Sequence, residues 1–158
     1  MTQTATAAAQ ECIFCAIARH EAEASTVYED ETVVAFMDRY PVTPGHLLVV
    51  PRRHTVGLED LDEATGGQVW AVAHALARTL RRSTFRPEGM NLFLCDGEVA
   101  FQTVFHFHLH VLPRYTGDGW SVDHLPGTLD RDRPRLDSDA HEIKVAAAHL
   151  AGGHPYRG

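Results

Sequence analysis

The sequence is short of lysine, of cysteine and of long apolar runs, and each shortage removes a class of function. Lys144 is its only lysine, and 21 acidic against 14 basic side chains leave a formal net charge of −7 over 158 residues. Binding to polyanionic nucleic acid depends on clustered Lys and Arg that neutralise phosphates. No nucleic-acid partner is therefore expected, although a small phosphate ligand held by a few local donors is not excluded. Three cysteines, an odd number, speak against a disulfide framework. No apolar run approaches the ~20 residues needed to cross a bilayer, so no membrane partner is expected. The opening MTQTATAAAQ has neither the basic n-region nor the apolar h-region of a secretory signal. Residues 1–10 read as a disordered tail, and the expected location is cytoplasmic.

What remains is a chain of ordinary composition, long enough for one domain with a real core. The segment ECIFCAIARH reads as a short helix opened by a C-x-x-C. STVYEDETVVAFMD reads as two strands meeting at a polar turn, and HLLVVPRRH as a third strand ended by Pro51. The longest helix is signalled by capping-box spacing at Asp60 and Glu63, by Val69, Val72, Leu76 and Leu80 on one face, and by Arg81 and Arg82 at its end. MNLFLCDG and QTVFHFHLHVLPRY read as neighbouring antiparallel strands joined by a short loop. From Thr116 to Pro134 no period is found, and a last helix is expected from near Ser138, burying Ile143, Ala147 and Leu150 and stopping at Gly152 and Gly153. Strand pairs without regular βαβ alternation indicate an α+β fold with a mostly antiparallel sheet.

Two clusters carry chemistry. In HFHLHVLPR, His106, His108 and His110 alternate with Phe107, Leu109 and Val111, the period of a strand, so the three imidazoles share one face. From the residues alone three readings stand: a solvated face, a metal site, or a nucleophilic imidazole flanked by groups that orient the reactants. Cys12 and Cys15 are open to zinc, to redox chemistry or to coincidence, and the βαβ context of a thioredoxin-like site is missing.

GEVAFQTVFHFHLHVLPR, with NLFLCDG before it and AFMDRYPVTPGHLLVVPRRH and CIFC upstream, resembles the histidine triad (HIT) family of nucleotide hydrolases and transferases. His106 to Leu112 fits its signature of His, apolar, His, apolar, His, apolar, apolar at every position, and the likeness runs from about Glu11 to Arg114. The resemblance implies a HIT-like fold: a mostly antiparallel five-stranded sheet packed by one long helix and a C-terminal helix, working as a sheet-joined homodimer. The HIT domain would occupy 11–115, and residues 116–158 would form an arm and helix packed on the same domain.

The resemblance also implies roles. His108 would be the nucleophile, attacking the α-phosphorus of a purine nucleotide to give a covalent nucleotidyl-histidine, with His110 and His46 beside the phosphate. Asp38 would hold the ribose, and Gln102 and Thr103 the phosphate. Cys12, Cys15, His54 and His106 would hold a structural zinc ion, which would make His106 a ligand and not a catalytic group. Two positions depart from the family pattern. Phe101 stands where glycine is common, and Cys95 where an asparagine commonly reaches the nucleotide. The activity implied is that of a nucleoside phosphoramidase releasing a nucleoside monophosphate. The alternatives are a dinucleoside polyphosphate hydrolase of the Ap3A/Ap4A type and a nucleotide-binding regulator with little turnover.

Overall fold

The computed structural model describes residues 11–121 and 131–150, with side chains of the latter stretch as far as 147. The expected tail at 1–10, the helix stop at Gly152 and Gly153, and Leu150's side chain lie outside the described residues. Five strands form, β1 (Thr26–Glu29), β2 (Val33–Met37), β3 (Leu47–Pro51), β4 (Gly89–Leu94) and β5 (Leu109–Arg114). They join one sheet in the order β1-β2-β3-β5-β4, with every pairing antiparallel. This is the α+β architecture anticipated from the strand pattern. No helix among the described residues is long and apolar enough to cross a membrane.

The period-two alternation of β2 and β3 sends their side chains to two different cores, the first of which also takes Val111 of β5 and Phe107 just ahead of it. Val33, Ala35, Leu47, Val49, Phe107 and Val111 pack on Val69, Val72, Ala73, Ala77 and Leu80 of helix α2 (Glu63–Arg82). Val33, Val49 and Val111 are fully buried, each contributing on the order of 1.5–3 kcal/mol. On the opposite face Val34, Phe36, Leu48 and Val50 pack on Phe14, Ile17 and Ala18 of the short helix α1 (Ile13–Ala18).

Four expectations are corrected. Helix α2 is capped by Asp62, whose carboxylate accepts from the Thr65 N–H at 2.9 Å and from the Thr65 hydroxyl. Asp60 instead accepts from the Val56 N–H in the preceding loop. The link from β4 to β5 is not a tight hairpin but runs from 95 to 108, with a 3₁₀ turn at Glu98–Ala100. Its start is drawn away because Asp96 accepts from the Leu58 N–H at 3.1 Å, in the loop before α2. The last helix, α3 (Arg133–Leu150), begins ahead of Ser138, since Asp132 accepts from the Arg135 N–H and Pro134 in a first turn needs no N–H partner. Ile143 on it is 69% exposed and not buried. The chain divides into two compact units after Trp120, and α3 belongs to the second.

Candidate active site

The hydrogen-bonded part of β5 begins only at Leu109, yet the alternation expected for the triad persists through the approach to it. Phe107 and Leu109 join the α2 core, while His106 and His108 meet the Phe14 ring of α1 edge-on at 5.9 and 5.3 Å on the other face. The three imidazoles thus lie in a row, and each has a different partner.

His108 directs Nδ1 at the backbone carbonyl of His106, 2.7 Å away. A carbonyl only accepts, so the proton is assigned to Nδ1 and the lone pair to Nε2. Burial lowers the pKa of His108, which keeps the ring neutral and Nε2 available.

His110 is set by a chain of donors. The Val42 backbone N–H donates to His46 Nδ1 at 3.2 Å, so His46 carries its proton on Nε2 and donates it to His110 Nδ1 at 3.0 Å. His110 is left with its proton on Nε2, beside His108, whose ring lies 4.9 Å from its own. Burial, assisted by neighbouring His108 and His46, pushes His110 down to about 4. His46 is lowered as well, by burial opposed by the Asp38 charge. Only 2% exposed, His46 reaches the histidine row through its hydrogen bond to His110. Asp38 accepts from the Tyr40 N–H at 2.8 Å and has its other oxygen 3.6 Å from His46 Nδ1.

The loop that delivers His46 depends on Gly45, at φ +87°, where an added Cβ would lie 3.1 Å from Pro113 and 3.3 Å from Leu80 and Phe85. Thr43 fastens the same loop by donating to the Pro113 carbonyl at 2.6 Å.

The loop before the triad is organised by Gln102. Its side-chain oxygen accepts from the Gly97 N–H at 2.7 Å, and its amide donates to the carbonyls of Val56 and Val104. This side chain is buried and spends its polar atoms on the loop, whereas Thr103 beside it is exposed. Phe101 keeps a glycine-like backbone at φ 67° and turns its ring to solvent, 81% exposed. Cys95 is half-buried, and burial raises its thiol.

At the far end of the row, Cys12, Cys15, His54 and His106 bring one ligand atom each within 4.8 Å of one another. Cys15 Sγ lies 3.2 Å from His54 Nδ1 and 3.4 Å from His106 Nδ1, and Cys12 Sγ lies 3.4 Å from His106 Nδ1. A tetrahedral zinc ion with its usual Zn–S and Zn–N bonds sets such pairs about 3.6 Å apart, so the cluster fits the ion with little movement. His106 is prepared for it: Nε2–H donates to the Pro51 carbonyl at 2.8 Å, which leaves the Nδ1 lone pair facing the sulfurs. Burial, then neighbouring Cys12, pushes the Cys15 thiol up to about 11, a penalty that a bound divalent cation removes.

One neighbour of the site escaped the sequence reading. Phe93 lies directly across from His110 in the β4–β5 register, its ring stacked on the imidazole at 4.4 Å and 9°. The alternation of Met90, Leu92 and Leu94 into the α2 core was the available signal, because it places Phe93 on the triad face.

Comparison with known proteins agrees with this arrangement. Residues 19–117 match the HIT domain family. An uncharacterised HIT-like protein of Mycobacterium tuberculosis is 45% identical over 137 residues, which is 87% of this chain and 93% of that one. The crystal structure of a Zn-bound histidine triad family protein from Mycobacterium smegmatis is 39% identical with a TM-score of 0.67, covering 87% of this chain and 99% of that one. A histidine triad nucleotide-binding protein from Candida albicans superposes with a TM-score of 0.78 at 25% identity, over 89% of this chain and 99% of that one.

Proposed function

The chain belongs to the HIT family, and on that basis we propose that it is a purine-nucleotide hydrolase that cleaves nucleoside phosphoramidates at the α-phosphate and releases a nucleoside monophosphate. The observation that carries this reading is the pair of fixed tautomers: a lone pair on His108 Nε2 next to a proton on His110 Nε2. A neutral imidazole is a competent nucleophile near pH 7. Its lone pair forms a bond to phosphorus as the P–N bond to the leaving amine breaks, and the amine takes up a proton from solvent, which the attacking water of the next step returns. Water then attacks phosphorus, the P–Nε2 bond breaks, and the monophosphate leaves with the imidazole neutral again. His110 donates to a phosphate oxygen as charge develops there, and His46 holds His110 in the donating tautomer. Asp38 supplies a carboxylate for the ribose hydroxyls, Thr103 an exposed hydroxyl for the phosphate, and Cys95 a weak thiol donor; Gln102 contributes by shaping the phosphate loop.

Cys12, Cys15, His54 and His106 are the residues that would hold a zinc ion, whose part is structural: it would tie the N-terminal segment to the sheet. The working form is proposed to be a homodimer with two sites, which sedimentation or light scattering checks.

The test is release of AMP from adenosine 5′-phosphoramidate, an adenylylated amine, and diadenosine tri- and tetraphosphate, with wild type and His108→Ala side by side. Fastest turnover of the phosphoramidates, lost in His108→Ala, is the expected result. Faster cleavage of the dinucleotides would replace the leaving group, and tight AMP binding without turnover would leave a nucleotide-binding regulator.

A further inference from the structure

Resting on the reading of His110 as the phosphate donor, we propose that Phe93 and Trp120 form an aromatic buttress that fixes the plane of the His110 imidazole, and so the aim of its Nε2–H; both are positioning residues for the reaction. The hydrogen bond from His46 fixes only one point of the His110 ring, its Nδ1. Rotation about the side-chain bonds still lets the ring pivot on that contact, and a donor that pivots loses its line to the phosphate oxygen. Phe93 removes this freedom by lying nearly parallel to the imidazole, at 4.4 Å and 9°. Its own place is set by the backbone, since Phe93 and His110 are direct partners in the β4–β5 ladder.

Phe93 is backed in turn. The Trp120 ring runs parallel to it at 6.0 Å and 13°, and the Arg114 guanidinium caps the indole at 4.4 Å from its centre. Arg114 is itself immobilised. It makes a two-pronged pair with Asp118 at 2.7 and 2.8 Å, donates to the Asn91 side chain at 2.8 Å and reaches the Trp120 carbonyl. Asp118 closes the turn by accepting from the backbone N–H groups of Tyr115 and Trp120, both at 3.0 Å. A tight turn past the end of β5 therefore returns an indole to the site side of β4, and the column runs Arg114, Trp120, Phe93, His110. The titratable groups around His110 are His46 from the loop before β3, His108 from the approach to β5, and Asp38 from the end of β2; β4 faces it with the Phe93 ring.

The experiment compares wild type, Phe93→Leu, Phe93→Tyr and Trp120→Leu by AMP-release kinetics and by ¹⁵N imidazole NMR of the substrate-free protein. Phe93→Leu is expected to lower kcat about ten-fold with KM within about two-fold, and Phe93→Tyr to restore kcat to within about two-fold of wild type. Trp120→Leu, at a position that leaves the ladder untouched, is expected to lower kcat about three-fold. In the NMR arm, the His110 nitrogens should report one neutral tautomer in wild type and Phe93→Tyr, and a shift toward averaged values in Phe93→Leu and Trp120→Leu. Unchanged kcat together with an unchanged His110 signature in the folded leucine variants would overturn the buttress. If wild type releases no AMP from any substrate, the functional reading has failed, and the NMR arm alone decides the proposal. Should Phe93→Leu not fold, Trp120→Leu decides it in the same way.

Discussion

The two ends of the histidine row are built from the same residue on the same strand face, yet they are closed in opposite ways. At one end His106 is 0% exposed, with Pro51, Cys12, Cys15, His54 and the Phe14 ring around it. At the other, His110 is only partly buried and its ring has a single hydrogen-bond partner among the described residues, His46. The hydrogen-bond partner decides what each ring can offer. A carbonyl at Nε2 leaves His106 a lone pair on Nδ1, a carbonyl at Nδ1 leaves His108 a lone pair on Nε2, and the His46 donor at Nδ1 leaves His110 a proton on Nε2. One end should therefore govern stability and the other the rate.

The sharpest way to break this contrast is to damage each end alone. His110→Ala should lower kcat for AMP release by about 10²–10³-fold, as loss of one donor to a developing oxyanion does, while melting within a few degrees of wild type. Cys15→Ser should do the reverse. It should cost on the order of 3 kcal/mol of stability, lower the melting temperature by roughly 10 °C and abolish a one-to-one zinc content, with kcat of the folded protein within a few-fold of wild type. Calorimetry, metal analysis and initial rates on both variants settle the matter. A Cys15→Ser protein as stable as wild type would remove the closed end from the comparison.

Gly45 probes whether the open end is as rigid in its supports as the closed one. Its left-handed φ of +87° disfavours any side chain, and a methyl group would press on Pro113, Leu80 and Phe85. Gly45→Ala should cost about 2 kcal/mol and displace His46, so that melting temperature and kcat fall together. Gly97 has the same φ but open space around it, and Gly97→Ala should cost about half as much. Equal losses in the two variants would mean that strain alone, and not packing behind His46, sets the penalty.

How much of this was legible in the sequence follows from the range of each interaction. Period-two alternation is local, so the strands, the shared face of the triad and the α2 stripe could be read directly. The C-x-x-C and its two histidines, separated by up to 94 positions, became a cluster only through the family resemblance. Tautomers could not be read, because they depend on which carbonyl or N–H the fold brings to each ring: Pro51 to His106, Val42 to His46. Phe93 was missed for the same reason, since a cross-strand partner is fixed by register and register is not written in either strand alone. Gln102 shows the converse, as a motif residue whose atoms serve the loop that carries the motif.

The smallest effect concerns acid, and its sign separates the histidines from the carboxylates. His110 is held near 4 in the folded protein against 6.5 when unfolded, mainly because burial disfavours the imidazolium. The unfolded chain therefore binds this proton first. Above pH 6.5 His110 adds no pH dependence; stability declines as pH falls from 6.5 toward 4, and the decline stops once the folded form is protonated too. Asp30 behaves in the other sense. Burial opposes its ionisation, but N–H donors from Val33 and Thr32 outweigh that and hold it near 2, so its contribution is lost only as pH falls from 3.8 through 2. Unfolding free energies of wild type and His110→Gln measured from pH 7 to 5.5 should converge by about 1 kcal/mol, the wild type losing more, because the variant has no imidazole to protonate at that position. Parallel profiles would mean that His110 is solvated enough to take its proton in place, and the open end of the row would then have to be treated as open to water as well as to substrate.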